Sequence, residues 1–328
     1  MRTRARFAAM AGLVAVAVFC AALAAGAQPV ANVSRIVVIG VTPTNPMLAE
    51  SFKQGLAERG YVEGRKVVID HRDAGGNPER LPTLAPELIQ PNVDLIFARG
   101  AGALATAKQA TTRIPIVAVS LESDPVAKGF VRTLAQPGGN ITGVFLDLPE
   151  LSGKQLQLIK EIIRSVPRVA IIGDPMLNAT QFRATEAAAR ALAIQPRLLE
   201  VAAVGELPRG IETASKGRAS ALLLLSSPLV FNQRAEIAAL ALKLRLPAIS
   251  MFAEFAEAGG LMAYGPSLRE AFLRAGISAG RILQGAKPGV LPVERPTRFE
   301  WVINQTTART LGLAIPPSVL ARAYRIVE

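Results

Sequence analysis

The chain has 328 residues, of which 50% are hydrophobic and 19% are charged, a composition that excludes an intrinsically disordered protein. Its length suits two lobes of ordinary domain size better than one compact core. The formal net charge is +12, but the basic residues are scattered and no run of Lys and Arg is interleaved with aromatic residues, which argues against a nucleic-acid-binding protein.

The amino terminus has the pattern of an export signal. Basic residues at the start precede an apolar run, and Ala25-Gly26-Ala27 matches a small-x-small cleavage site. We therefore predict a signal peptide over residues 1–27, cleaved near Ala27, and a periplasmic mature protein. Two alternatives stay open. The apolar run approaches the length of a membrane anchor, and Cys20 raises the possibility of lipidation, although Phe19 stands where a small residue is required.

Few residues in the mature chain could carry catalysis or bind a metal. Cys20 is the only cysteine and His71 the only histidine. The mature protein would then have no disulfide, no thiol nucleophile and no Cys- and His-built zinc site. His71 lies between Asp70 and Arg72 with no nucleophile motif beside it. We predict a protein that is not an enzyme and that has no catalytic residue, no metal and no cofactor.

After the signal, short apolar runs alternate with helical patterns to the end of the chain. Asn45-Pro46 is typical of a helix start, with Asn as the cap and Pro at the first helical position. Further helices are predicted over residues 150–165, 180–193, 206–216, 266–284 and 304–311. Predicted strands cover residues 34–40, 66–70, 93–98, 114–119, 141–146, 169–173, 198–201, 261–265 and 299–303, and the repeat described next adds two more.

Residues 91–129 and 219–260 share one order of elements: strand, small-residue turn, helix, strand, helix. Ile114-Pro115 in the first stretch corresponds to Leu246-Pro247 in the second, and upstream Phe52 corresponds to Phe182. Strands that alternate with helices predict a parallel, doubly wound sheet. We predict an α/β fold of two similar doubly wound parallel-sheet lobes joined by a hinge. The first lobe is assigned residues 28–143 plus about 264–292, and the second 144–263 plus about 293–328.

In open α/β sheets, ligands bind outside the carboxyl ends of the strands. Residues 100–105 match the dinucleotide pattern G-x-G-x-x-A, but the match follows the third strand and not the first, which argues against a nucleotide site. Bare amides at that helix start could hold a carboxylate, and Asp124 could pair with an ammonium group. Each candidate could equally serve a turn or cap a helix. The candidate ligand-binding residues all lie at or near strand ends: Thr42, Thr44, Gly100, Ala101, Ser120, Asp124, Asp174, Asn178, Ser226 and Tyr264.

Several long stretches resemble the ABC-transporter substrate-binding family that includes tryptophan- and tyrosine-binding members. They include FKQGLAERGYVEGRKVVIDHRDAGG, IPIVAVSLESDPVAKGFV and RILQGAKPGVLPVERPTRFEWVIN. The resemblance implies a bilobed, type I periplasmic-binding-protein-like fold, and an inner-membrane ABC permease with its ATPase as partners. Two departures stand out. Gly173-Asp174-Pro175 replaces an aromatic residue and Asn before Pro, which casts doubt on aromatic amino acids as the ligand, and Arg99 stands where small residues are usual.

These features together predict the exported, monomeric solute-binding component of an ABC importer. It would close two lobes around a small molecule, an amino acid or a small carboxylate, and deliver it to the permease. One alternative is a secreted hydrolase on a similar α/β scaffold, which the single histidine disfavours. Another is a sensor subunit docked to a membrane receptor, which the sequence does not separate from a transport protein.

Overall fold

A computed structural model describes residues 33–120, 124–145 and 149–328. The predicted signal peptide and Cys20 lie outside the described residues. None of the helices in the described part of the chain combines the length and the hydropathy needed to span a bilayer.

The first sheet has five parallel strands in the order β2-β1-β3-β4-β5. Its central strands are buried, as expected for a parallel sheet that helices cover on both faces. The strands are β1 (Ser34–Gly40), β2 (Val67–Asp73), β3 (Leu95–Arg99), β4 (Ile116–Ser120) and β5 (Ile141–Phe145). The connecting helices are α1 (Pro46–Ala57), α2 (Ala85–Leu88), preceded by a 3₁₀ helix over Pro78–Leu84, and α3 (Ala101–Ala110).

The second sheet has seven strands, and its first five repeat the strand order of the first sheet. One pairing departs from the prediction of parallel strands: β11 runs antiparallel to β10, because the chain enters it on its return from the first lobe. The strands are β6 (Arg168–Gly173), β7 (Gln195–Glu200), β8 (Ala221–Leu224), β9 (Ala248–Ser250), β10 (Met262–Pro266), β11 (Phe299–Asn304) and β12 (Arg325–Val327). The helices between β5 and β10 are α4 (Pro149–Ile162), α5 (Pro175–Ala191), α6 (Leu207–Lys216), α7 (Pro228–Asn232), α8 (Arg234–Lys243) and α9 (Ala253–Glu257).

The predicted repeat is confirmed at the level of single hydrogen bonds. Proline cannot donate from its backbone nitrogen, but its carbonyl can still accept. Pro115 accepts from the amide of Ile96 at 2.9 Å, and Pro247 accepts from the amide of Leu222 at 2.8 Å. The two proline-led strands β4 and β9 thus join their neighbours β3 and β8 in the same way, so the lobes share a topology.

The chain changes lobe again at α10 (Leu268–Leu283), which follows β10 but packs on α1. Glycines permit this close approach: a Cβ at Gly276 would overlap the carbonyl oxygen of Phe52. The chain then passes Glu294, whose amide donates to the carbonyl of Gly143 at 2.9 Å, and enters β11. Lobe 1 therefore comprises the first sheet with α1–α3 and α10. Lobe 2 comprises the second sheet with α4–α9, α11 (Gln305–Thr310) and α12 (Pro317–Leu320).

This division corrects the predicted boundaries by a few residues. Val144 and Phe145 complete β5 in the first sheet and belong to lobe 1, whereas the sequence analysis assigned them to lobe 2. Tyr264 to Pro266 complete β10 in the second sheet and belong to lobe 2, whereas they were assigned to lobe 1. In both cases the strand pairing extends past the residue at which the apolar pattern suggested a crossing.

Candidate functional site

Both sheets have a topological switch point at the carboxyl ends of their strands. In each lobe the second strand lies on one side of the first strand and the third strand lies on the other. The loops that follow the first and third strands therefore diverge and open a crevice, where ligands of doubly wound folds bind. These loops begin at Val41 and Gly100 in lobe 1, and at Asp174 and Leu225 in lobe 2.

The two switch points face each other across a cleft between the lobes. The side-chain amide of Asn232, on α7 of lobe 2, donates to the hydroxyl of Thr42 in lobe 1 at 2.9 Å. Behind this contact lies a cavity of about 100 Å³, here called the interlobe cavity. Its polar lining residues are Thr42, Asn45 and Arg99 from lobe 1, and Ser226, Ser227 and Asn232 from lobe 2.

Much of the rest of the interlobe cavity is an aromatic and aliphatic wall. Phe231 follows β8 and Phe252 follows β9, and their rings meet edge to face with centroids 5.7 Å apart. Phe272 comes from α10 and meets Phe97 of the lobe 1 core edge to face at 5.5 Å. Leu48 of α1 also lines the cavity. Each lobe therefore contributes apolar surface that a ligand could cover when the lobes meet.

Arg99, at the end of β3, places a cation in this cavity. Its Nη2 donates to the backbone carbonyl of Thr42, while its buried Nε has no hydrogen-bond partner among the described residues. The guanidinium lies against Gly40, where any Cβ would overlap it, so the missing side chain makes room for the cation. Burial lowers the pKa of Arg99 to about 10, against the opposing charge of Asp73. Arg99 therefore stays charged at neutral pH.

The single histidine lies outside the interlobe cavity. Nδ1 of His71 is 3.2 Å from the hydroxyl of Thr44, a predicted site residue that does not line the cavity either. Burial lowers the pKa of His71, and the positive charge of Arg99 lowers it further. His71 is thus a neutral side chain beside the site at pH 7, and the absence of a catalytic role for it stays a prediction.

A second, wider cavity of about 650 Å³ lies outside the interlobe cavity, here called the outer cavity. Thr42, Asn232, Val41, Pro43 and Pro228 line both cavities. The hydrogen bond between Thr42 and Asn232 therefore stands where the two spaces adjoin. A solute that entered through the outer cavity would have to pass this contact.

Four of the ten predicted site residues border these two cavities. Thr42, Gly100 and Ser226 line the interlobe cavity, and Asp174 lines the outer one. Asp174 is also the N-cap of α5, where its Oδ1 accepts from the amide of Met176 at 2.8 Å. Its carboxylate thus stabilises a helix start as well as bordering the cleft.

The other six predicted residues line neither cavity. Asp124 is a cap: its Oδ1 accepts from the amide of Val126 at 2.8 Å. Asn178 is fully buried and holds the carbonyl of Ser226 at 2.7 Å. Thr44 contacts His71, Ala101 opens α3, Ser120 ends β4 in the core, and Tyr264 stacks on Phe299 with centroids 6.2 Å apart.

Sequence reasoning missed the residues that dominate the cavity. Arg99 was noted only as a departure from a small-residue pattern, and the three phenylalanines were not singled out. One local signal existed. Arg99 is the last residue of a buried strand and is followed by Gly100, which precedes a helix and has no side chain. A ligand-facing side chain is expected at such a strand end. No local signal existed for Phe272, because α10 reaches the cavity from the other end of the chain.

Comparisons with known proteins agree with this geometry. A family model described as ABC transporter substrate binding protein matches residues 35–327, which confirms the resemblance found in the sequence. The chain is 23% identical over 282 residues to a tyrosine-binding protein of Clostridioides difficile strain R20291, covering 83% of this chain and 78% of that protein.

Two solved structures are similar over most of the chain. One is an ABC domain in complex with L-Trp from Streptococcus pneumoniae, with a TM-score of 0.81, 24% identity and coverage of 90% of this chain and 100% of that one. The other is the ligand-free, open structure of a substrate binding protein with adhesive properties from Clostridium difficile, with a TM-score of 0.64, 23% identity and coverage of 90% and 99%. The predicted fold is confirmed: two α/β lobes, as in type I periplasmic binding proteins.

Proposed function

The chain belongs to the family of ABC transporter substrate-binding proteins, and on that premise we propose that it is the exported solute-binding component of an importer. It takes an amino acid or a small carboxylate into the interlobe cavity and delivers it to an inner-membrane permease with its ATPase. The signal pattern of the first residues supports a periplasmic location. Binding and release are its whole task, and His71 has no catalytic role.

The observation that carries this proposal is that the cavity is assembled by both lobes. Thr42 and Arg99 of lobe 1 line it together with Ser226 and Phe231 of lobe 2. A solute can contact all four only when the lobes meet. Since a ligand shifts a conformational equilibrium by its differential affinity for the two states, such a solute favours the closed arrangement.

The polar groups of the cavity support a ligand with a carboxylate. Arg99 supplies a charged donor, and the hydroxyls of Thr42 and Ser226 supply neutral ones. The tyrosine-binding relative and the L-Trp complex support an amino acid as one such ligand. The apolar wall is the surface on which its side chain would rest.

The test is a thermal-shift screen of amino acids and small carboxylates, followed by calorimetric titration of the hits. A ligand at about 100 times its dissociation constant should stabilise the fold by about 2.7 kcal/mol. Thr42→Trp should abolish that stabilisation, because Thr42 lines both cavities and an indole there fills the passage between them.

Thr44→Trp is the matched control, since Thr44 lies two positions further along the same loop and outside both cavities. It should bind the hits as the parent protein does. A screen without hits would contradict the proposal. Equal binding by the parent and by Thr42→Trp would also contradict it, because the ligand would then lie elsewhere.

A further inference from the structure

Arg99 and its surroundings narrow the ligand further. We propose that the solute is a short, apolar monocarboxylate without an ammonium group, held by its carboxylate on Arg99. The inference rests on the proposed function and deepens it, because it names the chemical class that the interlobe cavity selects. Three features of the cavity carry it: its cation, its lack of a described acid, and its size.

The guanidinium of Arg99 has more N–H donors than it uses in the contact with Thr42. A guanidinium carries five N–H donors, and for Arg99 one of them goes to the carbonyl of Thr42. The Nε of Arg99 is buried without a partner among the described residues. An unpaired buried donor is costly, and a carboxylate matches two neighbouring guanidinium donors at once. The charge of Asp73 acts on Arg99 from outside the cavity, but no described residue that lines the cavity supplies a carboxylate to its guanidinium.

An ammonium group in the interlobe cavity would have no carboxylate to pair with among the described lining residues. None of the described residues that line the interlobe cavity is an Asp or a Glu. Asp124 is occupied by the amides of Val126 and Ala127 and lines neither cavity, and Asp174 borders the outer cavity, beyond the contact between Thr42 and Asn232. A desolvated ammonium in the same small space as Arg99 would face a like charge without compensation. A zwitterion is therefore disfavoured relative to the matching carboxylate.

The size of the cavity limits the apolar part of the solute. At about 100 Å³ the space holds a solute of only a few carbons, and an amino acid with a phenol or an indole side chain is larger than this. The apolar wall of the cavity includes Leu48, Phe231, Phe252 and Phe272, with which a branched aliphatic chain can pack. The space suits a carboxylate with a few carbons and excludes an indole or a phenol in this arrangement of the lobes.

The experiment compares matched compounds by calorimetric titration at pH 7. Isovalerate is valine without its ammonium group, and isovaleramide is its uncharged analogue. We expect isovalerate to bind at least about tenfold more tightly than either valine or isovaleramide, the factor that one charge-assisted hydrogen bond provides. Tyrosine should bind more weakly than isovalerate as well.

Substitutions in lobe 1 test whether Arg99 is the group that binds the carboxylate. Arg99→Gln should weaken isovalerate at least about tenfold and leave isovaleramide unchanged, because only the charged interaction is lost. Arg113→Gln is the matched control at an exposed position of the same lobe and should behave as the parent does. Gly40→Ala keeps the arginine but displaces its guanidinium, so it should also weaken isovalerate, which provides a second route if Arg99→Gln does not fold.

The outcomes separate the two proposals. If valine or tyrosine binds as tightly as isovalerate and Thr42→Trp abolishes that binding, the carboxylate inference is wrong and the solute-binding function stands. If Arg99→Gln binds isovalerate like the parent, the inference is wrong as well. If no carboxylate or amino acid binds at all, both proposals fail.

Discussion

The loop after β3 in lobe 1 and the loop after β8 in lobe 2 occupy the same place in a duplicated topology, yet they contribute different chemistry. The lobe 1 loop brings the charge of Arg99 and the bare backbone of Gly100. The lobe 2 loop brings the hydroxyls of Ser226 and Ser227 and then the ring of Phe231. The duplicated fold therefore sets where the ligand lies, while the divergence of the two loops places a cation at one strand end and hydroxyls at the other.

The two lobes also differ in where their buried ionisable groups lie. Arg99 borders the interlobe cavity. Glu254 of lobe 2 is 5% exposed and borders a different space, a groove of about 1170 Å³ between α1 of lobe 1 and the α9, β11 and β12 side of lobe 2. Only the lobe 1 group is therefore placed to meet a ligand. Substitutions at residues that line the interlobe cavity should therefore affect binding, and substitutions at residues that only pack within a lobe should affect stability alone.

The largest effect is expected from the aromatic wall. Phe272 is 4% exposed and packs on Phe97, so Phe272→Ala should lower the free energy of unfolding by about 3–5 kcal/mol. Phe231 is partly buried and packs at the edge of the same core, so Phe231→Ala should cost less, about 1–2 kcal/mol, because part of the ring stays in contact with water. Urea denaturation of both variants without ligand measures the difference.

Titration of the same two variants with a bound solute completes this test. Both should bind more weakly, because both rings line the interlobe cavity. Equal losses of unfolding free energy would show that Phe231 belongs to the core as much as Phe272 does. The expected difference between a ring of the core and a ring at its edge would then be wrong.

Much of the fold could be predicted because local patterns are tied to strand pairing. Val93 to Ala98 was predicted as a buried strand, and β3 covers Leu95–Arg99. The two proline-led strands were matched by sequence alone, and their prolines do accept equivalent hydrogen bonds. Burial on both faces leaves a continuous apolar run that is visible in one dimension. The terminal strand β12, three residues long and largely exposed, leaves no such run and was missed.

The site was only partly predictable, because the position of a side chain at a strand end does not show whether it contacts a ligand or another part of the protein. Thr42, Gly100 and Ser226 were expected there and do line the cavity. Asp124 was expected to face a ligand, but its carboxylate caps the turn that follows it, a use of Asp that sequence cannot distinguish from ligand binding. Phe272 reaches the cavity through a lobe crossing, so its role depends on tertiary geometry alone.

A smaller effect is expected at Asn178, which separates a structural role from a ligand-binding one. Its side chain accepts from the amide of Asp174 at 2.8 Å and donates to the carbonyl of Ser226 at 2.7 Å, and it is fully buried. Asn178→Ala leaves both backbone groups unpaired and should cost about 2–4 kcal/mol of unfolding free energy. Asn232→Ala, at an exposed position, is the control and should change stability little. Weaker ligand binding with unchanged stability would instead assign Asn178 to the ligand.

The smallest effect concerns the buried acid of lobe 2 and depends on pH. Burial raises the pKa of Glu254, the carboxylates of Glu257 and Glu300 raise it further, and Arg269, with its Nε 3.9 Å from Oε1 of Glu254, opposes this. A carboxyl group whose pKa is raised on folding binds protons more tightly in the folded state. Its contribution to stability therefore falls as the pH rises from about 4.3, the ordinary pKa for Glu, through the raised pKa.

Glu254→Gln removes this titration, so the variant should gain stability relative to the parent between pH 5 and pH 8 in urea denaturation. Glu236→Gln, at an exposed position of α8, is the matched control and should show no such trend. A difference between parent and Glu254→Gln that stays constant with pH would mean that Arg269 keeps the carboxylate charged throughout, and that lobe 2, like lobe 1, buries a charge and not a neutral group.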